Sequence, residues 1–209
     1  MSTFVLQSDG VTDAEITSGS PTTARGLGTV LSLGQRDDDA DYKIGRSVIK
    51  FANLSNGGVP KNRAVVSATL SLYLTTDRCN YSRTYSWFRL KNDFVESEVT
   101  WRIRKTGVNW AVQGIYSASN DTDYERADPI ATITLAASEA AGWKTWNLNT
   151  TKIFEMINGI WVNNGFFGMC DAEYNDQYFF RSNNHATVST RPKLTVVVDD
   201  AVSGEEGIL

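Results

Sequence analysis

From residue 66 to 74 the chain alternates strictly. Ala68, Leu70, Leu72 and Leu74 share one face, while Thr69, Ser71 and Tyr73 take the other. A period of two is the signature of a half-buried strand. Residues 46–51 read as a second strand, with Ile49 and Phe51 inward. Further short candidates fall at 87–90, 130–135, 143–148, 165–169, 178–181 and 193–198. Asn-Gly-Gly, Ala-Gly and Asn-Asn punctuation separates them, which points to an antiparallel sandwich and not to a parallel α/β fold. The predicted core groups Leu70, Leu72, Phe51, Trp146 and Trp161.

One stretch departs from this period. Ile153, Met156, Ile157, Ile160 and Trp161 fall at helical spacing, with Asn149 or Thr150 available as a cap. The spacing predicts a helix over 151–161, weakened by Gly159 and ended by Asn163-Asn164-Gly165, lying across one end of the sandwich.

Several short motifs recur in a fixed order. They are Leu31-Ser32-Leu33-Gly34, the 46–51 strand, Val66-Ser67-Ala68-Thr69-Leu70-Ser71-Leu72-Tyr73 and Phe94-Val95-Glu96-Ser97-Glu98-Val99-Thr100-Trp101. Then follow Gly142-Trp143-Lys144-Thr145-Trp146-Asn147-Leu148-Asn149, Trp161-Val162-Asn163-Asn164-Gly165, Phe180-Arg181-Ser182 and Arg191-Pro192-Lys193-Leu194. In this order, over about residues 25–198, the chain resembles the DNRLRE (disaggregatase-related) family of jelly-roll modules, kin to carbohydrate-binding modules. Phe94 stands where that family usually has Trp, Asn147 where it has Asp, and residues 105–129 make a longer stretch than usual. The resemblance implies one all-β domain over 1–209, an antiparallel jelly-roll β-sandwich with one short helix. It also implies core positions for Trp143, Trp146 and Trp161.

The 209 residues are 41% hydrophobic, enough for a substantial core, and no apolar run approaches the ~20 residues that span a bilayer. A net charge of −4 without a basic stripe argues against nucleic acid as a partner. Cys79 and Cys170 lie far apart, with no CxxC or Cys/His cluster; one disulfide is open to them, but without an export signal two buried thiols is the favoured reading. The sequons at Asn53, Asn80, Asn120 and Asn149 carry little weight, since no export leader precedes them.

No catalytic constellation emerges. His185 is the sole histidine, and no G-x-S-x-G surrounds a serine. Gly26-Leu27-Gly28 lacks the third glycine of a dinucleotide loop. Glu96 and Glu98 match the family's turn before Val99-Thr100-Trp101, which favours a structural role over a glycosidic pair. Asp37-Asp38-Asp39-Ala40-Asp41, or Asp9, Asp13 and Glu15, offer hard oxygens for calcium, but the first reads better as a solvated loop tip. The expectation is therefore no enzyme, no cofactor and no metal.

Exposed aromatics grip sugar rings and protein partners. Trp110, Tyr116 and Tyr124 lie in the 105–129 insertion, and Trp87 has no assigned core position, so these four are the candidate binding residues. The insertion is expected to project from the sandwich. Two functions fit. One is a virion structural subunit (a capsid decoration or fibre protein) contacting other subunits or copies of itself; the other is a carbohydrate-binding module of an extracellular protein. The start at Met1 without a leader favours the virion as location. The segment Met1 to Leu6 is a strand for its own or a neighbour's sheet edge, and the acidic tail from about 199 is a possible anchor.

Overall fold

The computed structural model describes residues 1–36, 43–171 and 176–202. In chain order the first strands are β1 (Ser2–Gln7), β2 (Val11–Thr17), β3 (Val30–Gln35), β4 (Ile44–Phe51), β5 (Arg63–Arg78) and β6 (Arg83–Arg89). Then come β7 (Ile103–Lys105), β8 (Val108–Asn109), β9 (Ala131–Leu135), β10 (Gly142–Asn147), the helix α1 (Thr150–Asn158), β11 (Phe166–Cys170), β12 (Gln177–Arg181) and β13 (Lys193–Val202). All pairings are antiparallel, as the alternation predicts.

The 16-residue β5 is the spine of one layer. One of its edges takes β13 and then β12; the other takes β10, with Trp146 opposite Leu70 and Trp143 opposite Tyr73. β1 closes the free edge of β13. The opposing layer is built from β2, β4, β11, β6 and β9, and β3 links it to β12, so one curled sheet of eleven strands makes the all-β sandwich. The strand at 2–7 thus completes its own sheet, and the Met1 ammonium pairs with Asp200. The acidic tail begins inside β13; residues 203–209 and the acidic run at 37–41 lie outside the described residues.

Leu70, Leu72, Phe51 and Trp146 are buried together with Ile49, Phe166 and Trp87 between the layers. Trp146 meets Trp87 edge-on at 6.2 Å, and its Nε1 donates to the Tyr85 carbonyl at 2.9 Å. Gly168 makes room for this pair, because a Cβ there would stand 2.7 Å from the Trp87 ring. The Asn149 side chain caps α1 by accepting from Lys152 N at 3.1 Å. Gly159, at φ +76, takes the left-handed position after the last turn, so it terminates the helix instead of weakening it from within. Ile160 and Trp161 consequently lie beyond the helix, and Trp161 is only partly buried, stacked on Arg89 at 4.0 Å. Trp143 is also outside the core, because alternation along β10 puts it on the face opposite Trp146.

The layer containing β4, β11 and β6 is buried on both faces. Ile49, Phe166 and Trp87 point inward, while their neighbours Val48, Phe167 and Phe88 point outward into a second core. Phe94, Val99, Trp101, Trp110, Ile115 and Tyr124 cover that outer face. The insertion therefore folds flat against the sheet and does not project. Apolar doublets such as Phe166-Phe167 demand cover on both sides of the strand. Arg89 fastens the arrangement: its guanidinium bonds Glu125 of the insertion at 2.8 Å and Glu155 of α1 at 2.6 Å.

Candidate functional site

After β6 the chain makes an isolated bridge from Leu90 to Tyr124. Lys91 N then donates to the Asp123 carbonyl at 2.8 Å and Glu125 N to the Arg89 carbonyl at 2.9 Å, so residues 123–125 extend the sheet. The Asn120 side chain holds the preceding turn: its Oδ1 accepts from Thr122 N and Asp123 N, and its Nδ2 donates to Asp123 Oδ2. Asn120 is buried and committed to these bonds, which leaves its sequon sealed in the folded domain.

These bonds fix a row of three side chains with three destinations. Tyr124 turns onto the outer face of the sheet, packed edge-on against Phe88 at 5.2 Å and Phe167 at 5.3 Å. Glu125 turns to Arg89 and Lys152, whose charges hold its carboxyl below the usual range against the opposing pull of burial. Arg126 is exposed and forms no ion pair among the described residues.

Where the insertion stops short of the lower end of β6 and β11, it leaves a cleft of about 370 Å³. Ser86, Phe88 and Met169 form its floor, with Tyr116, Tyr124, Arg126 and Asp171 around it. The Tyr116 ring is 39% exposed and lies 6.5 Å from Tyr124. Arg46 rises from β4 to support it: the guanidinium sits 4.8 Å from the Trp101 ring and 5.2 Å from the Tyr116 ring, and donates to the Gly114 carbonyl at 2.5 Å. The cleft thus has a braced aromatic wall, an exposed cation, a carboxylate and hydroxyls. The Tyr124 hydroxyl is enclosed and has no hydrogen-bond partner within the described protein. Burial, and then the neighbouring Tyr116, pushes its pKa up to about 12, so it stays a protonated donor at neutral pH.

Of the four aromatic candidates, the structure brings only Tyr116 and Tyr124 to this cleft. Trp87 is fully enclosed in the main core, a consequence of its inward position on β6. Trp110 is buried in the second core, where its Nε1 donates to the Thr100 carbonyl at 3.1 Å, and it borders a separate pocket with Arg102, Asn109 and Gln113, so neither tryptophan reaches this cleft. Tyr124 lines the cleft but is enclosed as a whole, its hydroxyl included. Sequence reasoning missed Ser86, Arg126, Asp171 and the bracing Arg46. Ser86 lies on β6 and Asp171 just past the end of β11, and only the fold sets them side by side.

The acidic residues take other roles. Glu96 accepts from Asp13 N, and Glu98 accepts from Thr106 N at 2.7 Å. Asp13 and Glu15 are buried on β2, whereas Asp9 is exposed in the preceding turn. Burial raises the Asp13 pKa to about 8, with Glu96 adding to the rise and Asn183 N and Arg191 opposing it. Among the described residues no group of three or more His, Cys, Asp or Glu side chains gathers as a metal site. Cys79 and Cys170 are free and buried, and burial holds the Cys79 thiol up at about 12. No helix among the described residues is long and apolar enough to cross a membrane.

The model of the disaggregatase related repeat domain matches residues 14–196, from β2 through the cleft and into β13. The chain belongs to that family. Membership suggests a carbohydrate-binding-like domain, in agreement with the order of motifs along the sequence. No curated protein matches the chain.

Proposed function

We propose that this domain is a non-catalytic carbohydrate-binding module that holds a short stretch of glycan in the cleft between the insertion and the β6–β11 face. The observation that carries this reading is the Tyr124 hydroxyl, a buried donor without an acceptor beside the half-exposed, braced ring of Tyr116. Sugars present both an apolar ring face and a set of acceptors, the two features that such a wall and donor address. Arg126, Asp171 and Ser86 supply further hydrogen bonds of both polarities. Asp171 is the one carboxylate among the lining residues, whereas glycoside cleavage of the usual kind needs two flanking the bond.

The test is a glycan array followed by calorimetry with Tyr124→Phe. Loss of the hydroxyl preserves the packed ring, so stability should hold while affinity falls about 3–10-fold. Undiminished binding by Tyr124→Phe would move the glycan elsewhere on the domain. Failure to bind any glycan, together with recovery of the protein in virus particles, would favour a virion subunit instead.

A further inference from the structure

The outer face of the β10–β5–β12–β13 layer carries a different chemistry. Trp143 and Tyr73 are cross-strand partners there, edge-on at 5.5 Å, and neither is buried. Each ring is covered by a cation: Lys193 Nζ lies 4.0 Å from the Trp143 centroid, and the Arg181 guanidinium lies 4.7 Å from that of Tyr73. Arg191 stands two residues before Lys193 and bonds the His185 carbonyl at 2.8 Å. Arg181 and Arg191 both oppose protonation of His185, which places their charges in one neighbourhood. None of Arg181, Arg191 and Lys193 forms an ion pair among the described residues.

The three cations stand close together in a chain of net charge −4. Elsewhere in the domain Arg25, Arg83, Arg89, Lys91, Arg104, Lys105, Lys144 and Lys152 each have a carboxylate partner. Mutual repulsion among three unpaired cations costs stability, and an anionic partner would relieve it. Hydroxyls of Ser71 and Thr145, 2.9 Å apart, lie on the same face beside the rings.

We infer that this face is a second contact surface, separate from the cleft, for a linear anionic polysaccharide whose carboxylate or sulfate groups meet Arg181, Arg191 and Lys193. The rings are already capped by their cations and stand edge to face, so they offer no open stacking platform of the kind single-stranded nucleic acid requires. Duplex nucleic acid calls for a larger basic footprint than three charges on an acidic domain. A glycan fits better, because sparse anionic groups alternate along it with hydroxyls that match the exposed Thr145.

The experiment is affinity electrophoresis and biosensor titration of the full chain against polygalacturonate, heparin, neutral dextran and poly-dT, at low and high salt. The wild type should bind polygalacturonate or heparin in a salt-sensitive way and leave dextran and poly-dT unbound. The triple variant Arg181→Gln, Arg191→Gln, Lys193→Gln should lose about tenfold or more in affinity for the anionic glycan. Arg126→Gln should leave that binding unchanged, which separates this surface from the cleft; a cleft that binds no sugar does not touch the result. The proposal is overturned if neither anionic glycan binds, if poly-dT binds more tightly than both, or if the triple variant, with an unchanged melting temperature, binds as the wild type does. Circular dichroism of Lys193→Gln alone guards against misfolding of the triple variant; this single change should already weaken binding measurably.

Discussion

The layer of β4, β11 and β6 has two faces, both lined with aromatics, and they are closed in different ways. The inward face is covered by regular partners: β5, β10 and β13 bring Leu70, Trp146 and Leu194 through ladder pairing. The outward face is covered by residues 91–130, whose regular structure is one short hairpin of β7 and β8. That cover depends on single anchors, such as the Trp110 bond to Thr100 and the Asn120–Asp123 turn. A ladder leaves no gap along its length. A loop cover ends where its anchors end, and the cleft lies at that margin.

The comparison is most sharply tested by one tryptophan from each core. Trp146→Ala should cost about 3–5 kcal/mol of global stability, measured by denaturant unfolding. Trp110→Ala removes as much buried surface but from the loop-built core. Its damage should concentrate in residues 91–130, seen as faster amide exchange there while β5 and β10 stay protected. If both variants deprotect the whole domain alike, the two cores form a single cooperative unit and the contrast fails.

β2 touches both cores, and its polar side sharpens the contrast with pH. Ala14 and Ile16 enter the second core, while Asp13 is sealed on the opposite side of the strand with its pKa raised from 3.8 to about 8. Between those values the folded state holds a proton that the unfolded chain has released. Stability from this group is therefore complete below about pH 4 and is lost as pH rises through about 8. Asp13→Asn, neutral and nearly isosteric, should flatten the decline and exceed the wild type in stability at pH 9. Parallel stability curves for the two proteins between pH 5 and 9 would show that Asp13 is ionised in the fold.

Arg89 joins the two regions through Glu125 and Glu155, both of which remain partly exposed. Arg89→Met should cost about 1–3 kcal/mol, less than a fully buried pair, because water screens the carboxylates left behind. The same change should loosen 123–126 first. Exchange data showing α1 loosened while 123–126 stays protected would contradict that order.

Much of the main core was legible in the sequence because β5 and β10 alternate cleanly, and Leu70 and Trp146 sit where that pattern puts them. The second core was hidden in the doublets Val48-Ile49, Trp87-Phe88 and Phe166-Phe167. A strand buried on both faces shows no alternation, so nothing in the pattern announces what covers its far side. β2 escaped notice for the opposite reason, since its sealed positions Asp13 and Glu15 read as hard oxygens for calcium and not as the interior of a strand. Tyr116 and Tyr124 were recognisable as candidates by residue type, in a long insertion. Whether each ring faces solvent depended on Arg46 and Phe88, which are 70 and 36 residues away from them in the chain.

The smallest effect on stability should come from the residue that matters most to the cleft. Tyr116 is partly exposed and loses one cation–π contact with Arg46 when truncated, so Tyr116→Ala should cost about 0.5–1 kcal/mol. Its ring is nevertheless the aromatic wall that solvent can reach, since Tyr124 is covered. Glycan affinity should then fall about tenfold or more, beyond the loss from Tyr124→Phe, because a stacking face is removed and not one hydrogen bond. Arg46→Lys makes a companion measurement. It retains a cation but gives up the flat guanidinium held between Trp101 and Tyr116, so the ring loses its brace and affinity should fall with Tyr116 itself intact. Calorimetry on both variants decides the matter: a Tyr116→Ala protein that is strongly destabilised yet binds like the wild type would make that ring part of the second core and leave the cleft without its wall.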